Sequence, residues 1–128
     1  MITRDELMQI YYLEKELKMW EEKLEVLRSQ VYTPPSSSGS RPTTTSDKTG
    51  RLATDIADTS IVVEDILKRI RKATNDIYRA IESIDDSVLR QIVHYRCIEL
   101  MSWIKVGRKM NLAPDTARMI FNRAFPKK

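Results

Sequence analysis

Two long stretches of this chain place apolar residues at alternating steps of three and four, the spacing of helices that pack side by side. The first lies within residues 3–31 and the second within residues 51–84. In the first, the seam positions are Ile10, Leu13, Leu17, Trp20, Leu24, Leu27 and Val31. In the second, they are Ile56, Thr59, Val63, Ile66, Ile70, Ala73, Ile77, Ala80 and Ile84. We therefore predict an all-α fold built on a long, coiled-coil helical hairpin, with the first helix opened by a capping box from Thr3 to Glu6.

Both apolar stripes are wider than a two-stranded seam requires. Leu7, Tyr11 and Met19 widen the first stripe, and Leu67 and Ile81 extend the second. We expect apolar surface to remain after the two helices pair, and a second copy of the chain to cover it in a homodimer. The matched stripes suggest an antiparallel hairpin. However, the nineteen residues between the helices, at roughly 3.3 Å each, are also long enough to connect two parallel helices.

Residues 32–50 interrupt this pattern with small, polar and turn-prone side chains, including the adjacent prolines Pro34 and Pro35. Such a segment buries too little apolar surface to offset the entropy lost on ordering, so we predict a disordered linker. The expected domains are a stalk over residues 1–84, which contains this linker, and a small C-terminal domain over residues 85–128.

The C-terminal domain has the pattern of a helix-turn-helix. Its three predicted helices lie at about residues 87–98, 102–110 and 114–125. Ser102 is the expected N-cap of the second, and Pro114 lies in the first turn of the third, where a missing amide costs nothing. Asn111 occupies the turn, where Asn tolerates a left-handed backbone best after Gly.

A small core should lie beneath this turn. Gly107 and Ala117 are small enough for the two helices to cross closely. The predicted core residues are Val106, Met110, Leu112, Ala117, Ile120 and Phe125.

The positive charge of the chain is concentrated in the same domain. Residues 85–128 carry nine basic and four acidic side chains, whereas the whole chain has a net charge of +4. This imbalance favours a polyanionic partner, and together with the turn it predicts double-stranded DNA. Arg118 is expected to make a bidentate contact with a guanine edge, and Asn122 to hydrogen-bond with adenine. Thr116 and nearby backbone amides are expected to bind a phosphate. The predicted DNA-binding residues are Lys105, Arg108, Lys109, Pro114, Asp115, Thr116, Arg118, Met119, Asn122, Arg123, Lys127 and Lys128.

Residues 102–110, which read Ser-Trp-Ile-Lys-Val-Gly-Arg-Lys-Met, are followed at residues 123–125 by Arg-Ala-Phe. This pattern resembles region 4 of sigma-70-type factors, which begins with Ser/Thr-Trp, contains Ile-Ala and ends in Arg-Ala-Leu. The complete layout, with Ser-Asp-Lys at residues 46–48 before the second long helix, resembles phage-encoded regulators of the ArpU and RinA type. Three departures are Val-Gly in place of Ile-Ala, Asn in place of the turn Gly, and Ala113 in place of the Ser or Thr cap.

The resemblance implies a phage or prophage transcription factor in the cytoplasm of a host bacterium. It would activate late or packaging genes and contact the host RNA polymerase. Two other classes stay open: a DNA-packaging adaptor similar to a small terminase subunit, and a module that binds only protein, such as the polymerase.

An enzyme is not expected. His94 is the sole histidine and Cys97 the sole cysteine, so no intramolecular disulfide and no thiol-based metal site are expected. The sequence also has no Gly-rich phosphate loop and no metal-ligand cluster, so no cofactor is expected. Adjacent carboxylates at Asp85 and Asp86 are better explained as helix caps. No apolar run of about 18 residues predicts a membrane span.

Overall fold

A computed structural model describes residues 2–31 and 42–127, with side chains from residue 49 onward in the second stretch. Every regular element in these ranges is helical, which confirms the predicted all-α fold. The elements are α1 (Arg4–Leu7), α2 (Gln9–Val31), α3 (Pro42–Ser83), α4 (Ser87–Val93), a π-helical segment (His94–Ile98), α5 (Trp103–Met110) and α6 (Pro114–Ala124). None of these helices combines the length and the apolar character needed to cross a membrane.

The first predicted helix is interrupted at Met8. The hydroxyl of Thr3 accepts a hydrogen bond from the amide of Glu6 at 3.2 Å, as the capping box predicts. The amide of Met8 is then shared between the carbonyls of Arg4 and Asp5, at 3.1 and 3.2 Å, and α1 ends. The prediction of one continuous helix over residues 3–31 was therefore wrong at this position, because the chain turns tightly where Leu7 enters a core.

The second long helix begins nine residues before the predicted Arg51. It starts at Pro42, where the fixed φ of proline suits a first helical residue and its missing N–H is not needed. Residues 42–50 are thus helical, contrary to the linker prediction, while residues 32–41 lie outside the described part of the chain. The helix ends at Ser83, one residue from the predicted end.

The chain divides into two compact units that do not follow the predicted boundary at residue 84. The composite unit contains residues 1–14 and 69–128, and the stalk unit contains residues 15–68. The reason is a shared core: Leu7, Ile10 and Ile77 are buried in one cluster with apolar residues of α4, α5 and α6. The start of α2 and the end of α3 therefore meet inside the composite unit, as expected for an antiparallel hairpin.

The stalk unit buries one residue of each heptad. Leu17 and Leu24 of α2 are buried, as are Thr59 and Ile66 of α3, and each pair is seven residues apart. Seam-type packing of two helices produces this spacing. Large apolar side chains also remain exposed in this unit, among them Met19 at 54% and Leu67 at 40%, two of the residues that widen the predicted stripes.

The helix predicted over residues 87–98 changes character halfway. Asp86 caps α4 by accepting from the amide of Val88 at 3.0 Å. After Val93 the backbone becomes π-helical and ends before Leu100, whose φ of 57° is left-handed. Arg96 stabilises the chain just after this segment, because its guanidinium donates a hydrogen bond to the carbonyl of Met101 at 2.8 Å.

Candidate nucleic-acid interface

The turn between α5 and α6 has the predicted helix-turn-helix chemistry. Asn111 is left-handed, with φ 55° and ψ 44°, and the amides of Asn111 and Leu112 both donate to the carbonyl of Gly107. A Cβ on Gly107 would lie 2.5 Å from the carbonyl oxygen of Leu112 and 3.3 Å from the nitrogen of Pro114. The backbone of the turn can therefore fold this closely over α5 only because residue 107 has no side chain.

The predicted core beneath the turn is confirmed. Val106, Ala117 and Phe125 are buried, and the partly buried Met110, Leu112 and Ile120 pack against the same cluster.

The largest fully buried side chain of this core, Phe121, was not predicted. Phe121 is fully buried, with its ring centroid 5.5 Å from the rings of both Trp103 and Phe125. Its position four residues after Ala117, on the same helix face, was the available signal.

All six basic side chains between residues 103 and 127 are exposed. Lys105, Arg108 and Lys109 lie on the face of α5 opposite the buried Val106 and Gly107, and they border one shallow depression together with Met101. The other three basic residues are Arg118, Arg123 and Lys127. Predicted Lys128 lies outside the described residues.

The N-terminus of α6 has no side-chain cap. Ala113 is the extended N-cap residue, and its side chain has no acceptor for the amides of the first turn. The first-turn amides consequently depend on solvent or on an added anion, such as a phosphate, for an acceptor. Pro114 and Asp115 are exposed there and Thr116 is half-buried, so the predicted phosphate-holding residues lie together at this end of α6.

Arg118, the predicted guanine reader, has an acidic neighbour on its own helix. Its Nη2 lies 3.2 Å from Oδ1 of Asp115, and the two side chains are 56% and 91% exposed. An ion pair this exposed contributes less than about 1 kcal/mol, so Arg118 can exchange Asp115 for another partner at small cost. Met119, beside it, is 44% exposed and adds an apolar contact surface.

Asn122 is held by a residue from the other end of the chain. Nη1 of Arg4 donates to Oδ1 of Asn122 at 2.8 Å and to the carbonyl of Phe125 at 2.7 Å. The guanidinium also lies over the ring of Phe121, 5.2 Å from its centroid. The side-chain oxygen of Asn122 therefore already accepts one hydrogen bond within the protein, and sequence patterns alone offered no signal for this pairing.

The sole histidine and the sole cysteine, His94 and Cys97, both pack against neighbouring residues. His94 is half-buried between Tyr78, at 5.9 Å between ring centroids, and Glu99, at 3.5 Å from Nε2 to Oε2. Burial raises the pKa of the Cys97 thiol to about 12, against the opposing effect of Arg96 and Arg4, so this side chain is a neutral thiol at physiological pH. Among the described residues, no group of three or more His, Cys, Asp or Glu side chains could hold a metal ion.

Comparison with known proteins adds no template for this site. No protein-family profile, no curated protein and no solved structure matches the chain. What the site does must follow from the side chains that α5, α6 and α1 present.

Proposed function

We propose that the protein binds double-stranded DNA through α5 and α6 and regulates transcription. The observation that carries the proposal is the coincidence of a helix-turn-helix turn with six exposed cations on the two helices and the residues after them. Helices joined in this way place the second helix in the major groove, while the first crosses the backbone. Cations on the first helix, Lys105, Arg108 and Lys109, then contact phosphates, and Arg118 on the second reaches a base edge.

The proposed biological setting comes from the resemblance of residues 102–110 and 123–125 to sigma region 4. It favours a phage or prophage regulator that activates late or packaging genes in the bacterial cytoplasm and contacts the host polymerase. Exposed apolar side chains in the stalk unit favour a homodimer that presents two reading helices. Light scattering of the full chain at micromolar concentration should give the mass of two copies, and a monomer would remove the dimer from the proposal.

The DNA-binding test is a titration of labelled duplex with the full chain over a range of salt concentrations. Lys109→Ala should weaken binding to all sequences and lower the salt slope by about 0.9, the loss of one phosphate contact. Arg118→Ala should cost about 1–3 kcal/mol on a preferred site and relax the preference there. Lys18→Ala removes an exposed cation from the stalk unit and should change neither quantity.

The same titration, together with the mass of the protein from light scattering, separates the competing classes. Absence of any salt-dependent binding to duplex DNA would overturn the proposal and favour a module that binds protein. Binding by a ring of many copies would favour a packaging adaptor.

A further inference from the structure

Two large apolar side chains of α2 are exposed on one side of the stalk unit. Met19 and Val26 are 54% and 55% exposed, and they lie seven residues apart on the helix. Each follows a buried leucine, Leu17 or Leu24, by two residues, which is about 200° around a helix of 3.6 residues per turn. The packing that buries these leucines therefore cannot also cover Met19 and Val26.

Charged residues of both signs border this apolar column. Residues three and four positions away on a helix are neighbours, and all four such neighbours of Met19 are charged and exposed. They are Lys15 and Glu22 on one side of the column, and Glu16 and Lys23 on the other. Each side therefore carries one cation and one anion, and the four residues together have no net charge.

This arrangement of charges complements a second copy of itself. If two such faces pack parallel and in register, the side with Lys15 meets the partner's side with Glu16, and each cation lies against an anion. If they pack antiparallel about Met19, each side meets its own reversed copy, so that Lys15 lies against the partner's Glu22. A polyanion such as DNA would instead meet an unfavourable carboxylate on each side of the column.

We propose that the homodimer forms through this outer face of α2, with Met19 and Val26 packed against a second copy and the charged borders paired across the interface. Coiled-coil helices associate in this manner, through apolar residues in the seam and charged residues at its edges. The inference rests on the homodimer within the proposed function, and it does not depend on the choice of DNA as a ligand.

Charge reversal tests the pairing directly. An acidic variant, Lys15→Glu with Lys23→Glu, has four acidic residues around the column, and a basic variant, Glu16→Lys with Glu22→Lys, has four basic ones. Dimers of either variant alone should be weaker than the wild-type dimer by more than about tenfold, because like charges then face each other.

Mixing the two variants in equal amounts should restore the dimer. Light scattering should then give the mass of two copies, and the basic variant should be captured on a tag carried by the acidic one. A general loss of stability in either variant would not be repaired by mixing, so recovery reports on contact between the two faces.

A matched control reverses two cations elsewhere on α2. Lys18 and Arg28 are exposed and do not border the column at Met19, so Lys18→Glu with Arg28→Glu should leave the dimer intact. Circular dichroism checks that every variant keeps its helices. If a charge variant does not fold, Met19→Ser with Val26→Ser provides a second test, because these exposed substitutions should preserve the fold and reduce the mass to one copy.

Folded charge variants that remain dimeric alone, or that stay monomeric when mixed, would overturn this interface while the wild-type homodimer stands. A dimeric Met19→Ser, Val26→Ser variant would do the same. A monomeric wild type would overturn the homodimer and this interface together, whereas failure of the DNA-binding proposal appears only in the salt titration.

Discussion

The close approach of the turn to α5 predicts that two glycine-to-alanine substitutions act in opposite directions. Gly50 and Gly107 both lie inside helices, in α3 and α5, and neither has a positive φ. Replacing a helical glycine by alanine ordinarily raises the free energy of unfolding by about 1 kcal/mol, because alanine loses less backbone entropy on folding. An added Cβ at Gly50 meets nothing within 4 Å, so Gly50→Ala should show this ordinary gain.

Gly107→Ala should instead destabilise the protein. The new Cβ would meet the carbonyl oxygen of Leu112 at 2.5 Å, with the nitrogen and Cα of Pro114 at 3.3 and 3.5 Å. These are backbone atoms of the turn, so relief requires α5 and α6 to move apart. Overpacking of this kind costs about 1–3 kcal/mol, and the shortness of the contact argues for the upper end. After the helix gain of about 1 kcal/mol is subtracted, a net loss of about 2 kcal/mol remains.

Equilibrium urea unfolding of the two variants and the wild-type chain measures this difference. Circular dichroism follows all helices. With Trp20 of the stalk unit replaced by Phe in all three chains, fluorescence of Trp103, which packs 5.5 Å from Phe121, reports on the composite unit. The two variants should differ by about 3 kcal/mol in their free energies of unfolding, the sum of the gain and the loss argued above. If Gly107→Ala is as stable as the wild type or more stable, the turn is not held closed by the missing side chain and the reasoning fails.

Two further outcomes follow from the composite unit. Asn111 has a left-handed backbone, so Asn111→Ala should lower the free energy of unfolding by about 1 kcal/mol while Asn111→Gly stays close to the wild type; equal urea midpoints for the two variants would contradict this. Burial raises the pKa of Cys97 from 9.0 to about 12, so between these pH values the unfolded chain has lost a proton that the native chain keeps. The free energy of unfolding should therefore fall as pH rises through this window, by at most about 1.4 kcal/mol per pH unit. Cys97→Ala should remove that component, and an identical pH slope in the two proteins would contradict this, because it would mean that the thiol has the same protonation state in the native and unfolded chains.

The features that the sequence predicted well are those set by local backbone chemistry. Asn111 and Gly107 could be recognised because a left-handed turn and a close crossing each favour few residue types. Ser102 and Thr3 were recognisable as caps, since each accepts from the amide three residues later. The all-α fold followed from the steps of three and four.

The features that were missed depend on contacts between distant parts of the chain. Leu7 was assigned to the stripe of a long stalk helix, yet it is buried in the same core as Phe121. No periodicity within residues 3–31 distinguishes these two environments, because both bury the same helix face. The role expected for Asn122 failed to anticipate Arg4 for the same reason, and the π-helical segment at His94–Ile98 has no residue pattern that differs from an ordinary helix.

The participation of the first fourteen residues in the composite unit has a consequence for synthesis of the protein. Because α1 leaves the ribosome well before α6, Leu7 and Ile10 wait for their α6 partners while the intervening chain is synthesised. The contact from Arg4 to Phe125 forms only after the chain between these two residues, which lie 121 positions apart, has been synthesised. A chain that ends before α6 therefore lacks a completed composite unit, and a chain that lacks α1 loses part of the same core.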